Sequence, residues 1–168
     1  MHKNLEVIDS TNSLLYGEIP SSISKLSNLR FLRISNNKLN GSIPSSIGQL
    51  SNLEELDISE NLFTGIVSEL HFVKLSKLNS IDLSKNLLSG RIPSCLSNLE
   101  ELSSLNLADN SLEGEIPSSL GDLPLRLILD LSENKLVGGI PKELTKLVDL
   151  QYLNLSRNSL NGSIPKNR

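Results

Sequence analysis

LSNLRFLRISNNKLNGSIPSSIGQ, residues 26–49, follows the pattern LxxLxxLxLxxNxLxGxIPxxLxx, and the chain on either side repeats it. Gly17, Gly41, Gly65, Gly90, Gly114, Gly138 and Gly162 recur at intervals of 24, 24, 25, 24, 24 and 24 residues, and nearly every apolar residue keeps step with them. A fixed period in this range marks units that stack only on their neighbours, so no unit buries a core alone. Function must then live on a repeated surface.

Around Leu32 and Ile34 the unit alternates apolar and polar, with counterparts at Leu56 and Ile58, Ile81 and Leu83, Leu105 and Leu107, Leu129 and Leu131, Leu153 and Leu155. Period two predicts a short strand with one buried face. Equivalent strands run the same way and can pair only as a parallel sheet, the rest of each unit being the return path. Seven strands at about 4.8 Å spacing give a sheet roughly 33 Å long. The next column is Asn37, Asn61, Asn86, Asn110, Asn134 and Asn158. An amide side chain carries donors and an acceptor, and this structural ladder is expected to satisfy backbone groups where the chain leaves the strand.

Glycine then permits a positive-φ bend, and Ile-Pro follows at 19–20, 43–44, 92–93, 116–117, 140–141 and 164–165. Proline fixes φ and cannot donate, which suits an extended segment. The run after it, SSI, SCL, SSL or KEL leading to a buried Leu, is spaced for one turn of helix or 3-10 on the convex side.

These residues resemble the plant-specific class of leucine-rich repeat, and the resemblance covers Leu5 to Pro165. It implies an α/β leucine-rich repeat solenoid, right-handed, of about seven 24-residue coils. A concave parallel sheet, a second short sheet around LxGxIP and 3-10 turns on the convex side belong to that class. The family includes ectodomains of receptor-like kinases and receptor-like proteins, and polygalacturonase inhibitors. These proteins bind and do not catalyse, need no cofactor, and place the parent protein outside the cell or at its surface.

Composition narrows the partner. A net charge of −3 and a pI near 5.4, without a cluster of Lys or Arg, exclude nucleic acid and an anionic membrane surface. A protein, peptide or glycan ligand remains. The N-terminus lacks the apolar stretch of a signal peptide and no run of about 18 apolar residues occurs, so membrane attachment could come only through segments outside this chain. Serines abound, but with His2 and His71 the only histidines and no GxSxG there is no nucleophile beside a base, hence no catalytic residue. No Cys/His spacing suits a metal. Cys95, in IPSCLSN, reads as a small filler of the helical side.

The chain is read as one solenoid, 1–168, with a degenerate first coil at 1–25 and an irregular coil at 66–76. In the first coil Ser10 stands at an apolar strand position and Ser13 at the Asn position, which suggests one residue lost before Asn12 and one gained after Leu14. In the third coil Ser68 replaces proline and the 25-residue interval falls, so an extra residue near His71 and Phe72 is expected to loop out. Arg126 takes a leucine column position in LPLRLILDL; Leu125 or Leu127 should substitute while the guanidinium reaches solvent. The family's cysteine-bearing caps are missing, which points to a fragment of a longer ectodomain or a truncated gene product with core exposed at both ends.

Residues between the buried strand positions face the concave side, four per unit. The first column holds Val7, Phe31, Glu55, Ser80, Ser104, Ile128 and Tyr152, and the second Asp9, Arg33, Asp57, Asp82, Asn106, Asp130 and Asn154. The third is nearly all Ser; the fourth is Asn12, Asn36, Glu60, Lys85, Asp109, Glu133 and Arg157. The candidate binding set is Phe31, Arg33, Glu55, Asp57, Glu60, Asp82, Lys85, Asn106, Asp109, Asp130, Glu133, Tyr152 and Arg157. Its centre is acidic, so a basic peptide or protein face would be complementary, although LDLS is also the repeat's commonest wording and Asp there is equally a solvated strand residue. Phe31 and Tyr152 lie five units apart, about 24 Å, too far for one hot spot.

Asn40, Asn154 and Asn161 open glycosylation sequons. The leading function is ligand binding within a receptor ectodomain, in recognition or defence signalling. A secreted inhibitor of cell-wall polygalacturonases and a structural or ice-binding solenoid are the alternatives.

Overall fold

The computed structural model describes residues 4–166 as a curved solenoid of seven coils. Three-residue strands at Val7–Asp9, Phe31–Arg33, Glu55–Asp57, Ser80–Asp82, Ser104–Asn106, Ile128–Asp130 and Tyr152–Asn154 form one parallel sheet in chain order. The register never slips: Leu32, Leu56, Ile81, Leu105, Leu129 and Leu153 stand opposite one another along the sheet. Behind it runs a continuous apolar core of strand, bend and convex-side residues.

The convex side carries 3-10 turns at Ser21–Lys25, Ser45–Gln49, Glu69–His71, Ser94–Asn98, Ser118–Asp122 and Lys142–Lys146. In five of them the preceding residue is the repeat's proline, whose extended ψ of 127 to 142° turns the chain into the helix. Between sheet and turn lie short lateral strands, Tyr16–Gly17 with Lys38–Leu39, and Ser89–Arg91, Ser111–Glu115, Lys135–Gly139 and Ser159–Asn161. Glycine is needed at this bend for two reasons. Gly90 has φ +80°, and a Cβ there would also press into the Ile66 side chain of the preceding coil.

The first coil keeps the common register, contrary to the expected loss and gain of a residue. Val7, Ile8 and Asp9 pair with Phe31, Leu32 and Arg33, and Asn12 and Gly17 share the left-handed backbone of Asn36 and Gly41, 24 residues on. Ser10 and Ser13 are therefore plain substitutions, tolerated because the outer side of this coil is solvated.

The third coil also differs from expectation. Its extra residue does not loop out at His71 and Phe72; both are buried, and Leu70 and Val73 face solvent instead, 66% and 63% exposed. The added residue widens the turn, so that the Val73 N–H reaches back four residues to the Glu69 carbonyl. His71 sinks inward, its Nε2 2.9 Å from the Ile43 carbonyl and its Nδ1 3.0 Å from the Ser68 N–H. Since a carbonyl only accepts and an N–H only donates, the hydrogen sits on Nε2. His71 thereby does locally what proline does elsewhere, fixing the entry to the turn, but it does so by tying two coils together. His71→Leu should cost about 2 kcal/mol in urea unfolding, because the Ser68 N–H and the Ile43 carbonyl lose their partner. This coil joins the lateral strands only through single bridges, Ser42 to Thr64 and Ile66 to Ser89.

In the sixth coil Leu125 is buried and Arg126 exposed, so the neighbour fills the leucine column. Leu14 and Tyr16 of the first coil and Val148 and Ile164 of the last are exposed.

Candidate functional site: the concave sheet

Six of the seven coils exit the sheet through the same hydrogen-bonded turn, the second coil having Arg33 where the others have an acceptor. In the third coil, the Ser59 N–H and hydroxyl both donate to Asp57 Oδ1, at 3.1 and 2.7 Å. Ser84 does the same to Asp82, and Ser132 to Asp130. Asn106 and Asn154 accept in the equivalent place from Ala108 and Ser156. An Asx side chain bonding the backbone two residues on closes a turn without help from elsewhere.

Two sequence expectations change here. Ser35, Ser59, Ser84 and Ser132 of the third column are buried, so these four coils offer three concave positions rather than four, whereas Thr11 and Ala108 are half-buried and Ser156 is exposed. The chain bends inward directly after the strand, which takes the serine with it. The Asp column is neither a free acidic row nor merely solvated, because its oxygens hold the turns and also link coils: Ser35 donates to Asp57 Oδ2, Asn106 to Asp82 Oδ2 and Asn154 to Asp130 Oδ2.

The fourth column lies beyond the strand in the left-handed region, with φ of 52 to 54° at Asn12, Asn36, Glu60, Lys85, Asp109, Glu133 and Arg157. Sequence reasoning missed this, although Asn and Asp at three of the seven positions, the side chains that best tolerate such a φ, were the available signal.

Most remaining acids have cationic partners along the solenoid. Arg33 Nε donates to Glu55 Oε1 at 2.7 Å, Lys85 Nζ meets Glu60 at 2.9 Å and Arg157 meets Glu133 at 2.9 Å. Exposed pairs of this kind contribute little stability. Their effect is to break the acidic centre into alternating signs, leaving Asp109 exposed and outside these pairs. Phe31 sits between the guanidiniums of Arg30 and Arg33, 5.2 and 4.9 Å from its centroid, and both arginines are also held by glutamates. Tyr152, at the other end, is half exposed and its hydroxyl accepts from Asn154.

Burial separates two aspartates in otherwise identical turns. Asp82, under neighbouring coils on both sides, has its carboxyl pushed above the ordinary 3.8 by desolvation, against the pull of Ser84 and Asn106 and with a further push from Asp57. Asp9, on the exposed first coil, is held below 3.8 by the Thr11 N–H. A carboxyl raised by folding holds its proton more tightly in the folded chain, so its stabilising contribution is full below 3.8 and lost as pH rises through the folded value. Asp82→Asn keeps an acceptor for Ser84 and removes the titration. It should match the parent at about pH 3 and be the more stable chain at about pH 7 in parallel thermal melts.

The ladder asparagines do not face the concave surface. Each is turned into the coil: Asn61 Oδ1 accepts from the Leu39 N–H, and its Nδ2 is shared among the carbonyls of Ile34, Ile58 and Ser59, all within 3.2 Å. Asn37, Asn86, Asn110, Asn134 and Asn158 repeat the arrangement. Among the sequon residues, Asn40 and Asn161 are exposed on the lateral side, whereas Asn154 is partly buried in its turn. Burial also raises the Cys95 thiol above its usual value. His2 lies outside the described residues. Among the described residues, no group of His, Cys, Asp and Glu could hold a metal ion, and no helix is long and apolar enough to cross a membrane.

Leucine-rich repeat family models match residues 51–112, 27–70 as two copies, and 127–147 with 149–167. The Arabidopsis receptor kinase HAESA, solved with the peptide hormone IDA and the co-receptor SERK1, is 46% identical with a TM-score of 0.92, over 96% of this chain and 27% of that one. PEPR1, solved as PEPR1–AtPEP1, is 36% identical at a TM-score of 0.87, over 96% and 22%. The BIR2 ectodomain from Arabidopsis thaliana is 33% identical at 0.69, over 78% and 68%. The chain belongs to the leucine-rich repeat family and has the fold of plant receptor ectodomains. It spans about a quarter of the length of the first two of these receptors. No curated protein matches the chain.

Proposed function

We propose that this chain is a ligand-binding segment of a plant receptor ectodomain, presenting its concave sheet to a protein or peptide outside the cell. The observation that carries the reading is the likeness to HAESA, 46% identical over 96% of the chain, in a structure that holds a peptide hormone. The physical support is a parallel sheet whose first column, unlike the second, takes no part in the turns that close each coil. Its side chains vary from Phe31 and Glu55 through Ser80 and Ser104 to Ile128 and Tyr152, while everything around them repeats. Signalling in recognition, defence included, is the role we assign. Asn40 and Asn161 are the glycan acceptors of the secreted parent.

The test plugs the face. Ser80→Arg and Ser104→Arg add bulk in mid-sheet without touching the core, and Ser76→Arg on the convex side is the control. A panel of synthetic secreted plant peptides is titrated against the immobilised chain up to about 100 µM, the range of weak encounters. Saturable binding of at least one peptide, lost in the concave variants and retained in the control, is the expected result. Absence of any binding, or loss in the convex control alone, overturns the reading, as does potent inhibition of a fungal polygalacturonase.

A further inference from the structure

We propose that Asn40 and Asn161, wherever they carry no glycan, are the sites at which this chain spontaneously converts asparagine to isoaspartate. They are the two asparagines followed directly by glycine, Gly41 and Gly162. Both occupy the same place in the repeat, at the end of a lateral strand and before the LxGxIP bend, and both are exposed.

Three conditions meet at these positions and part elsewhere. The Gly41 and Gly162 amides have no Cβ beside them to hinder ring closure, and among the described residues neither donates a hydrogen bond that would have to break first. The Asn40 and Asn161 carboxamides are likewise without a hydrogen-bonding partner among the described residues. By contrast, each ladder asparagine is tied by its oxygen and its nitrogen, as at Asn61 and Asn134. Asn106 and Asn154 are held in turns, and Asn12 and Asn36 bond to one another.

The chemistry needs only solvent. The glycine backbone nitrogen, giving its proton to water, attacks the asparagine Cγ; the Cγ–Nδ2 bond breaks and ammonia leaves, closing a five-membered succinimide. Water then adds at either carbonyl and opens the ring to aspartate or isoaspartate. At position 40 the product places a carboxylate beside Glu18, whose side chain lies over Gly41, and isoaspartate adds a methylene to the backbone where the repeat bends. The hazard is built into the repeat: its obligatory glycine column makes any asparagine one position earlier reactive. The same column position elsewhere holds Tyr16, Thr64, Ser89, Glu113 and Val137.

The experiment uses the folded chain made in a host that does not glycosylate it, aged at mildly alkaline pH. Conversion is read by peptide mapping and by labelling with an isoaspartyl methyltransferase, with the urea-unfolded chain aged in parallel. The Asn40 and Asn161 peptides should convert at least about tenfold faster than those containing Asn37 or Asn134, a barrier difference of about 1.4 kcal/mol. Asn40→Gln and Asn161→Gln should each remove their own signal. The proposal is overturned if the folded chain converts both pairs no faster than the ladder asparagines while the unfolded chain does, or if label persists in the double variant. Conversion at one pair alone overturns the assignment of the other.

Discussion

Asn61→Ala should lower the unfolding free energy by about 4 kcal/mol, the largest effect of any single side chain in the array, although the residue touches neither solvent nor any ligand surface. The Leu39 N–H is buried and has Asn61 Oδ1 as its acceptor; removing that oxygen leaves it desolvated and unpaired. The carbonyls of Ile34, Ile58 and Ser59 lose a shared donor at the same time. Each stranded group costs about 1–3 kcal/mol, and the vacated volume adds to the loss. Because a repeat array need not unfold in one step, denaturant melts should be read beside hydrogen exchange, in which the Leu39 amide is expected to lose protection first. Asn40→Ala, at an exposed position in the neighbouring coil, should change stability by less than about 0.5 kcal/mol. A loss below about 1 kcal/mol at Asn61 would show that water enters and serves the freed groups.

Gly48→Ala is expected to cost about 3 kcal/mol, from overpacking alone. No positive φ is involved. A Cβ at position 48 would overlap the carbonyl oxygen of Leu70, backbone that cannot rotate away, because the widened turn of the third coil leans on the second at this point. Gly121→Ala should behave alike, since its Cβ would run into the Glu143 carbonyl. Gly139→Ala supplies the opposite sign. There the nearest atom to a new Cβ is Asn161 O at 3.8 Å and φ is unstrained, so reduced freedom of the unfolded chain should stabilise by about 0.5 kcal/mol. Thermal melts of the three variants separate close approach from conformational freedom. Equal shifts at Gly48 and Gly139 would refute the steric account.

How much of this could be read from the residues depends on whether a feature repeats. The concave strands, the convex turns and the glycine bend were legible because seven units, five of them with both the Asn and the Ile-Pro of LxxLxLxxNxLxGxIP, leave one consistent geometry. Coil 1 shows the limit of reading by eye. Ser10 and Ser13 broke the apolar pattern and suggested a shifted register, yet parallel pairing with Phe31–Arg33 holds the spacing, since hydrogen bonds depend on backbone and not on which side chain is lost. The single insertion was visible as a 25-residue interval, but not its outcome. Sequence spacing does not say whether an added residue bulges or is drawn inward; His71 is drawn inward because the Ile43 carbonyl and the Ser68 N–H present complementary partners on two different coils.

The candidate surface was legible by column and less so by chemistry. Assigning Phe31, Glu55 and Tyr152 to one row needed only alternation. Seeing that Asp57, Asp82 and Asp130 spend their oxygens on the following serines required the bend after the strand, where side-chain direction no longer follows period two. Charge read as a sum looked acidic. Charge read in three dimensions is cancelled pairwise between adjacent coils, with Arg33 on Glu55, Lys85 on Glu60 and Arg157 on Glu133.

The amide ladder has a direction. Every described member, from Asn37 to Asn158, takes its N–H partner from the coil before it and sends its Nδ2 to a carbonyl of that same coil, and none reaches forward. A coil leaving the ribosome is thus incomplete until about one further period of chain has emerged behind it. Its latch is carried by its successor, so assembly advances with the newest coil always open and the one before it just closed.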